Sequence, residues 1–410
     1  MIDFPSNDEA WRSRLASLDP SLYARTRNHI NGCVSRLSPY LTHGFLDLSQ
    51  AVASVRAHSP LSSNDKLFSE FAWRSFFHHV WMWAGEEIFE DMRPGLPDVV
   101  YSEELPADVE TAQTGLPVID QAVATLYETG YLHNHARMWL ASYLVHLRHV
   151  DWRVGADWMY GHLLDGDLAS NHLSWQWVAS TFSVKPYLFN ADNVSKFAPA
   201  DWHCFDSPLD TSYEDLERMA RGFDESGRAA FESMARYASK HAAGVDVPEL
   251  HKAPPPKIRF AAIDSMAALQ SWWSKDPPTN DTAPIELVHA WGLADRQSPA
   301  GIGMPGSTRL GLVHLPAHHK RPWSLRRWQF VLNRMTAVCD AVWIGDVTAI
   351  DPQLFGSRPL ICLDAAGSPE TRAAIDQLQP KWISPRQWLG EPGRPCQSFS
   401  AYSRSVREVR

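Results

Sequence analysis

Residues 131–177 open with YLHNHARMW (131–139), pass through the dipeptide Asp151–Trp152 and close with LLDGDLASNHLSWQW (163–177). Asn134, Arg137 and Met138 stand at i, i+3 and i+4, so a helix places them on one face; Asn171 and Trp175, with Asp167 less strictly, repeat the arrangement one helix later. Two such polar faces among Trp and Leu predict a pocket inside a helical domain. A core built only for stability would not take in an amide, a guanidinium and two acids, because each unpaired buried polar group costs about 1–3 kcal/mol.

Working outward, 410 residues are enough for two or three domains, and a 44% hydrophobic composition with 18 Trp supplies sizeable cores. No apolar run approaches the ~18 residues that span a bilayer, and the start, MIDFPSNDEAWRSRL, lacks the basic and apolar parts of a secretory signal. A cytoplasmic protein, monomeric and without membrane contact, is expected. Cys33, Cys204, Cys339, Cys362 and Cys396 lie far apart and are odd in number, which argues for reduced thiols and against a disulfide framework. No histidine stands at metal-ligand spacing, so no metal site is expected. The net charge of -9 works against nonspecific affinity for phosphates, although Arg12, Arg14, Arg25, Arg27 and Arg36 offer part of a basic groove.

Asn7 or Asp8 caps the first of several helices before residue 60, and VSRLSPYLTHG (34–44) puts two hydroxyls and several backbone N–H groups ahead of a helix, a phosphate cradle or a plain capping turn. LFSEFAWRSFFHHVWMW (67–83) predicts a helix over about 64–84 with Glu70, Trp73 and Arg74 on one face. TGLP (114–117) starts the next, over about 118–129. One or two polar helices follow over 207–245, then two proline-rich connectors, HKAPPPK (251–257) and SKDPPTNDTAP (274–284). Beyond 285, short apolar runs alternate with helical stretches, which predicts a small Rossmann-like α/β domain with a mainly parallel sheet. The organisation expected is therefore a helical domain (1–245), a linker containing a helix (246–284) and an α/β domain of unknown role (285–410). Within the last, GIGMPG (301–306) reads as a loop, because Pro305 falls where a dinucleotide-binding helix would open. HHKRPWSLRRW (318–328) suits either single-strand contact or a helix capped by Ser324.

The order H-N-x-x-R-M, D-W, D-G-D-L-A-x-N, W-Q-W resembles the flavin-binding helical domain of the photolyase and cryptochrome family, and E-x-x-W-R at 70–74 and T-G-x-P-x-x-D at 114–120 extend the resemblance. It implies FAD, bound in an all-helical domain of photolyase type. Ser35, Leu37 and Ser38 resemble the family's pyrophosphate loop, with Val34 where a threonine is usual, and Tyr23 sits where a tyrosine meets the cofactor. Arg74 and Arg137 would offset the pyrophosphate and the acids Asp165 and Asp167, both acids pairing with Arg137, and Asn171 would turn its amide to the flavin edge. Trp73 and Trp177 would wedge against two flipped bases, Glu70 and Asn134 would hydrogen-bond their edges, and Met138 would pack beside them. Trp175 and Trp152, with Tyr101 as an outer link, resemble the family's electron relay.

The implied activity is light-driven repair of cyclobutane pyrimidine dimers by an electron from excited reduced FAD, a deoxyribodipyrimidine photolyase-like lyase. The alternative is a cryptochrome-type blue-light photoreceptor without repair activity. The family's antenna domain has no room ahead of Tyr23, and the antenna pigment is left unassigned. The family's F-N-P segment and the basic loop after it are absent near residues 183–197, which opens the substrate to single-stranded DNA or RNA.

Overall fold

The first helices start where the letters place them. Asn7 accepts a hydrogen bond from Ala10 N and begins helix Asp8–Ala16, and Asp19 followed by Pro20 begins helix Pro20–Thr26. The computed structural model describes residues 3–241, 243–275, 283–304, 306–365 and 367–409. Most of the second connector (276–282) and Pro305 lie outside these described residues.

Helix Lys66–Ala84 buries Phe68, Phe71, Phe76, Phe77 and Val80, the apolar positions of its 3.6 repeat. Pro117 opens the next long helix, Pro117–Thr129, and Gly130 closes it in the left-handed conformation that glycine adopts without strain. Three more helices build the pocket: Asn134–Ser142, Trp152–His162 capped by Asp151, and Leu168–Ala179 capped by Asp167. The polar region beyond residue 207 forms two helices, Tyr213–Ala220 and Glu225–His241. Among the described residues no helix is long and apolar enough to cross a membrane.

The C-terminal strands β1 (Ile285–His289), β2 (Thr308–His314), β3 (Ala341–Gly345), β4 (Leu360–Leu363) and β5 (Lys381–Ile383) form one fully parallel sheet in the order β3-β2-β1-β4-β5. Leu287 lies opposite Leu310 on one side and Cys362 on the other. In doubly wound sheets of this order, ligands enter the crevice where the order reverses, here between β1 and β4. The chain fills that crevice itself. Trp291, just after β1, packs so closely on Gly367, just after β4, that a Cβ there would lie 2.5 Å from the indole.

Helical and α/β units share one core. Phe45 stacks on Phe330 of helix Leu325–Val338, 5.2 Å between centroids and 9° between planes, and Leu293 N donates to His43 O at 2.9 Å. Of the two readings of 318–328, the helix cap is the one found: Ser324 accepts from Arg327 N at 3.3 Å. His318 lies 4.3 and 4.4 Å from the buried rings of Trp323 and Trp328. The aromatic faces proposed for single-strand contact are closed to a base because they pack on one another. After β5 the chain leaves the sheet and returns to helix 66–84. Trp388 packs on Phe68 at 4.8 Å and donates to Ser75 Oγ at 2.8 Å, and helix Phe399–Ser405 lies alongside. Arg56 and Glu408 tie the end down at 2.6 Å.

Candidate active site

Helices 66–84, 134–142 and 168–179, with the turn at 34–38, enclose a cavity of about 510 Å3, inside the range typical of small-molecule sites. Tyr23, Ser35, Ser38, Glu70, Trp73, Arg74, Asn134, Arg137, Met138, Asp165, Asn171, Trp175 and Trp177 all line it. Residues from Tyr23 to Trp177 are thus brought together. Leu37, Asp167, Trp152 and Tyr101 are not in its wall; Leu37 is fully buried ahead of helix Ser38–Thr42.

The floor is the turn 163–167 between two helices. Arg137 Nη2 reaches both Asp165 oxygens, at 2.8 and 3.0 Å, while its Nε donates to Leu132 O at 2.8 Å. Asp167 does not share that arginine, which corrects the expected pairing. As the cap of helix 168–179 its Oδ1 is fixed on Ser170 N at 2.8 Å, and this turns its Oδ2 towards helix 66–84, 3.0 Å from His78 Nε2 and 3.2 Å from Arg74 Nη2. Burial alone would raise the Asp167 carboxyl, but His78 and Arg74 overcome it and hold the group well below the ordinary carboxylate value. Asn171, expected at the flavin edge, lines the cavity. Its Nδ2 donates to Ala156 O at 2.9 Å, a bond within the helical core, leaving Oδ1, an acceptor, for the cavity.

The mouth is more open. Glu70 pairs with Arg27 at 2.8 Å, and burial pushes its carboxyl up against the pull of that guanidinium. Asn134 is exposed, 3.4 Å from Met138 Sδ, and Trp177 is 37% exposed. Trp73 offers one face only, since the other lies flat on Phe399. Trp175 is buried against Gly155, where a Cβ would collide with the indole. Trp152 stands three residues before that glycine and donates to Asp91 Oδ1 at 2.8 Å. Tyr101 is farther out, its ring 6.0 Å from His149.

Several wall residues escaped the sequence reading. Ser170 and Ser174 fall on the face that carries Asn171 and Trp177, so helical spacing was the missed signal, and Arg27, expected only as part of a basic groove, lines the wall one helical turn after Tyr23. Among the described residues Ser170 Oγ is buried without a hydrogen-bond partner.

Residues 67–201 match the FAD binding domain of DNA photolyase. Over that stretch, about a third of the chain, the helical domain is similar to DNA photolyases. A deoxyribodipyrimidine photo-lyase of Streptomyces griseus is 36% identical to this chain over 147 residues, 36% of the chain and 32% of that protein. The Vibrio cholerae enzyme of that name is 36% identical over 181 residues, 40% of the chain and 38% of its own length. The chain thus spans about a third of the length of the curated relatives it matches. Among solved structures, a cryptochrome of Synechocystis sp. PCC6803 is 26% identical, with 48% of this chain and 44% of that one covered and a TM-score of 0.43.

The residues present fit FAD. Ser170 Oγ, the hydroxyls of Ser35 and Ser38 and the guanidinium of Arg74 give the wall donors, and Leu41, Phe71, Phe77, Met159 and Val178 supply apolar area for a flat ring system.

Proposed function

We propose that this protein is a photolyase-like lyase that repairs cyclobutane pyrimidine dimers in nucleic acid under light. One observation carries the reading: a single cavity joins a buried, hydrogen-bonded polar floor to an open aromatic mouth. FAD, when bound in its reduced form, would supply under light the electron that opens the cyclobutane ring and would take it back from the separated pyrimidines, with no net oxidation or reduction. The chain's own work is to place and shield the two partners. Ser35, Ser38 and the backbone around Leu37 would hold the pyrophosphate, with Arg74 and Arg137 offsetting its charge and Tyr23 closing the side. The Arg137–Asp165 pair would fix the ring's orientation, and Asn171 Oδ1 would accept a hydrogen bond at the flavin edge. The damaged pair has to leave the stack to reach the cavity. Trp177 and the free face of Trp73 would receive its bases, Glu70 and Asn134 would hydrogen-bond their edges, and Met138 would pack against them. Trp175, Trp152 and Tyr101 would carry electrons inward to restore the reduced cofactor.

Glu70, Asn134 and Trp177 all face the mouth, which favours repair over a photoreceptor that takes no substrate. The test uses the purified, chemically reduced protein, with dimer-containing single-stranded DNA, duplex DNA and RNA under blue light. Restored pyrimidines on any of them support repair, and the ranking identifies the nucleic acid. A yellow protein inactive on all three is a photoreceptor, and a protein that binds no flavin overturns both readings.

A further inference from the structure

Three successive carbonyls of the floor turn are each taken by a side chain from a distant part of the sequence. Leu164 O lies 2.9 Å from His43 Nε2, Asp165 O accepts from Thr42 Oγ1 at 3.3 Å, and Gly166 O accepts from Arg327 Nη2 at 2.6 Å. The third clasp is the unexpected one, because Arg327 belongs to helix 325–338 of the α/β unit. Its Nη1 also donates to Tyr160 O at 2.9 Å, so one guanidinium bridges the end of helix 152–162 and the turn after it. The side chain is fully buried between two rings, 4.1 Å from Trp323 and 4.5 Å from Tyr160. Gly166 is needed there, since a Cβ would meet Arg327 and lie 2.7 Å from Tyr160 O.

A buried guanidinium with no directly bonded carboxylate among the described residues is a poor choice for stability alone, because desolvating the charge costs several kcal/mol and an apolar side chain of the same volume is often as good or better. What Arg327 gains from its position is directional. It grips the backbone on the far side of the turn whose two carboxylates face Arg137 and Arg74.

We propose that Arg327 is a positioning residue: acting through the Tyr160 and Gly166 carbonyls, it holds Asp165 and Asp167 at their arginine partners and makes the α/β unit a support for the cavity floor. Its consequence for FAD rests on the function proposed above. The two are separable by experiment on the full chain. In the flavin-free protein, Arg327→Lys keeps the charge but cannot bridge both carbonyls, and Arg327→Met keeps the bulk without the charge. Each should raise amide hydrogen exchange over 164–171 by roughly tenfold while leaving helix 117–129 protected as in the wild type. FAD titration of the same variants should show about tenfold weaker binding, a loss near 1.4 kcal/mol. Gly166→Ala, which displaces the guanidinium from the other side, should do the same, and it decides the matter if Arg327→Met does not fold. Unchanged exchange over 164–171, or an equal rise in helix 117–129, would overturn the positioning role. A loosened turn in a chain whose wild type binds no FAD would leave the clasp standing and remove the flavin reading instead.

Discussion

The Phe399 ring lies flat on the Trp73 indole, 4.1 Å between centroids and 9° between planes. Eleven residues from the last, the chain thus reaches the wall of the cavity and fixes the aromatic side chain that would meet the substrate. An aromatic pair of this kind contributes about 0.5–1.5 kcal/mol beyond its area. A double-mutant cycle of Phe399→Ala with Trp73→Ala, followed by urea unfolding, should return a coupling energy of about that size. Additive effects would mean that the stack fixes nothing.

Trp177 stands at the mouth, partly exposed, with its ring 5.8 Å from Tyr187 and away from the Arg137–Asp165 floor. Trp177→Ala should weaken binding of dimer-containing oligonucleotide by about 1–3 kcal/mol, the range for a base stacked on an aromatic ring, with flavin content unchanged. Loss of flavin in this variant would place Trp177 on the cofactor's side of the cavity.

Trp175 differs in being buried and packed closely on Gly155. Phenylalanine fills most of its space but is far harder to oxidise. Trp175→Phe should slow photoreduction of the bound flavin by roughly tenfold, while repair by chemically reduced protein keeps its rate. Equal loss in both assays would count against a relay.

The Glu70–Arg27 pair sets an acid limit. Burial raises the Glu70 carboxyl and Arg27 opposes it, so removing Arg27 lets the group rise further. In Arg27→Gln the pH below which substrate binding declines should move upward, and Glu70→Gln should abolish that limb. A profile that stays in place in both variants would show that the Glu70 charge is not read by the substrate.

The parts of this site that the letters disclosed are those set by local periodicity. Asn134, Arg137 and Met138 converge because one helix carries them, and Glu70, Trp73 and Arg74 for the same reason. What escaped depends on rotation about caps and on contacts across the chain. Asp165 and Asp167 look equivalent in D-G-D, yet the capping bond to Ser170 turns the second away from Arg137. Nothing local ties Arg327 to Gly166 across 161 positions. The basic and aromatic letters of 318–328 suit a base-stacking surface or a buried cluster equally well, and only the packing of Trp323 on Trp328, 5.0 Å apart, separates them.

Asp167 offers the sharpest electrostatic test because asparagine also caps helices well. Asp167→Asn therefore keeps the bond to Ser170 while removing the charge that faces Arg74 and His78. Leaving the Arg74 guanidinium without its buried partner should cost about 3–5 kcal/mol at pH 7. The Asp167 carboxyl is held well below its ordinary value in the folded chain, so its contribution is fully present above the unfolded value near 4 and is lost as pH falls through the folded one. The gap in unfolding free energy between wild type and Asp167→Asn should accordingly narrow as pH is lowered below about 4. A gap that stays constant from pH 7 to pH 3 would mean that the carboxylate's charge contributes nothing and that the variant fails through packing alone.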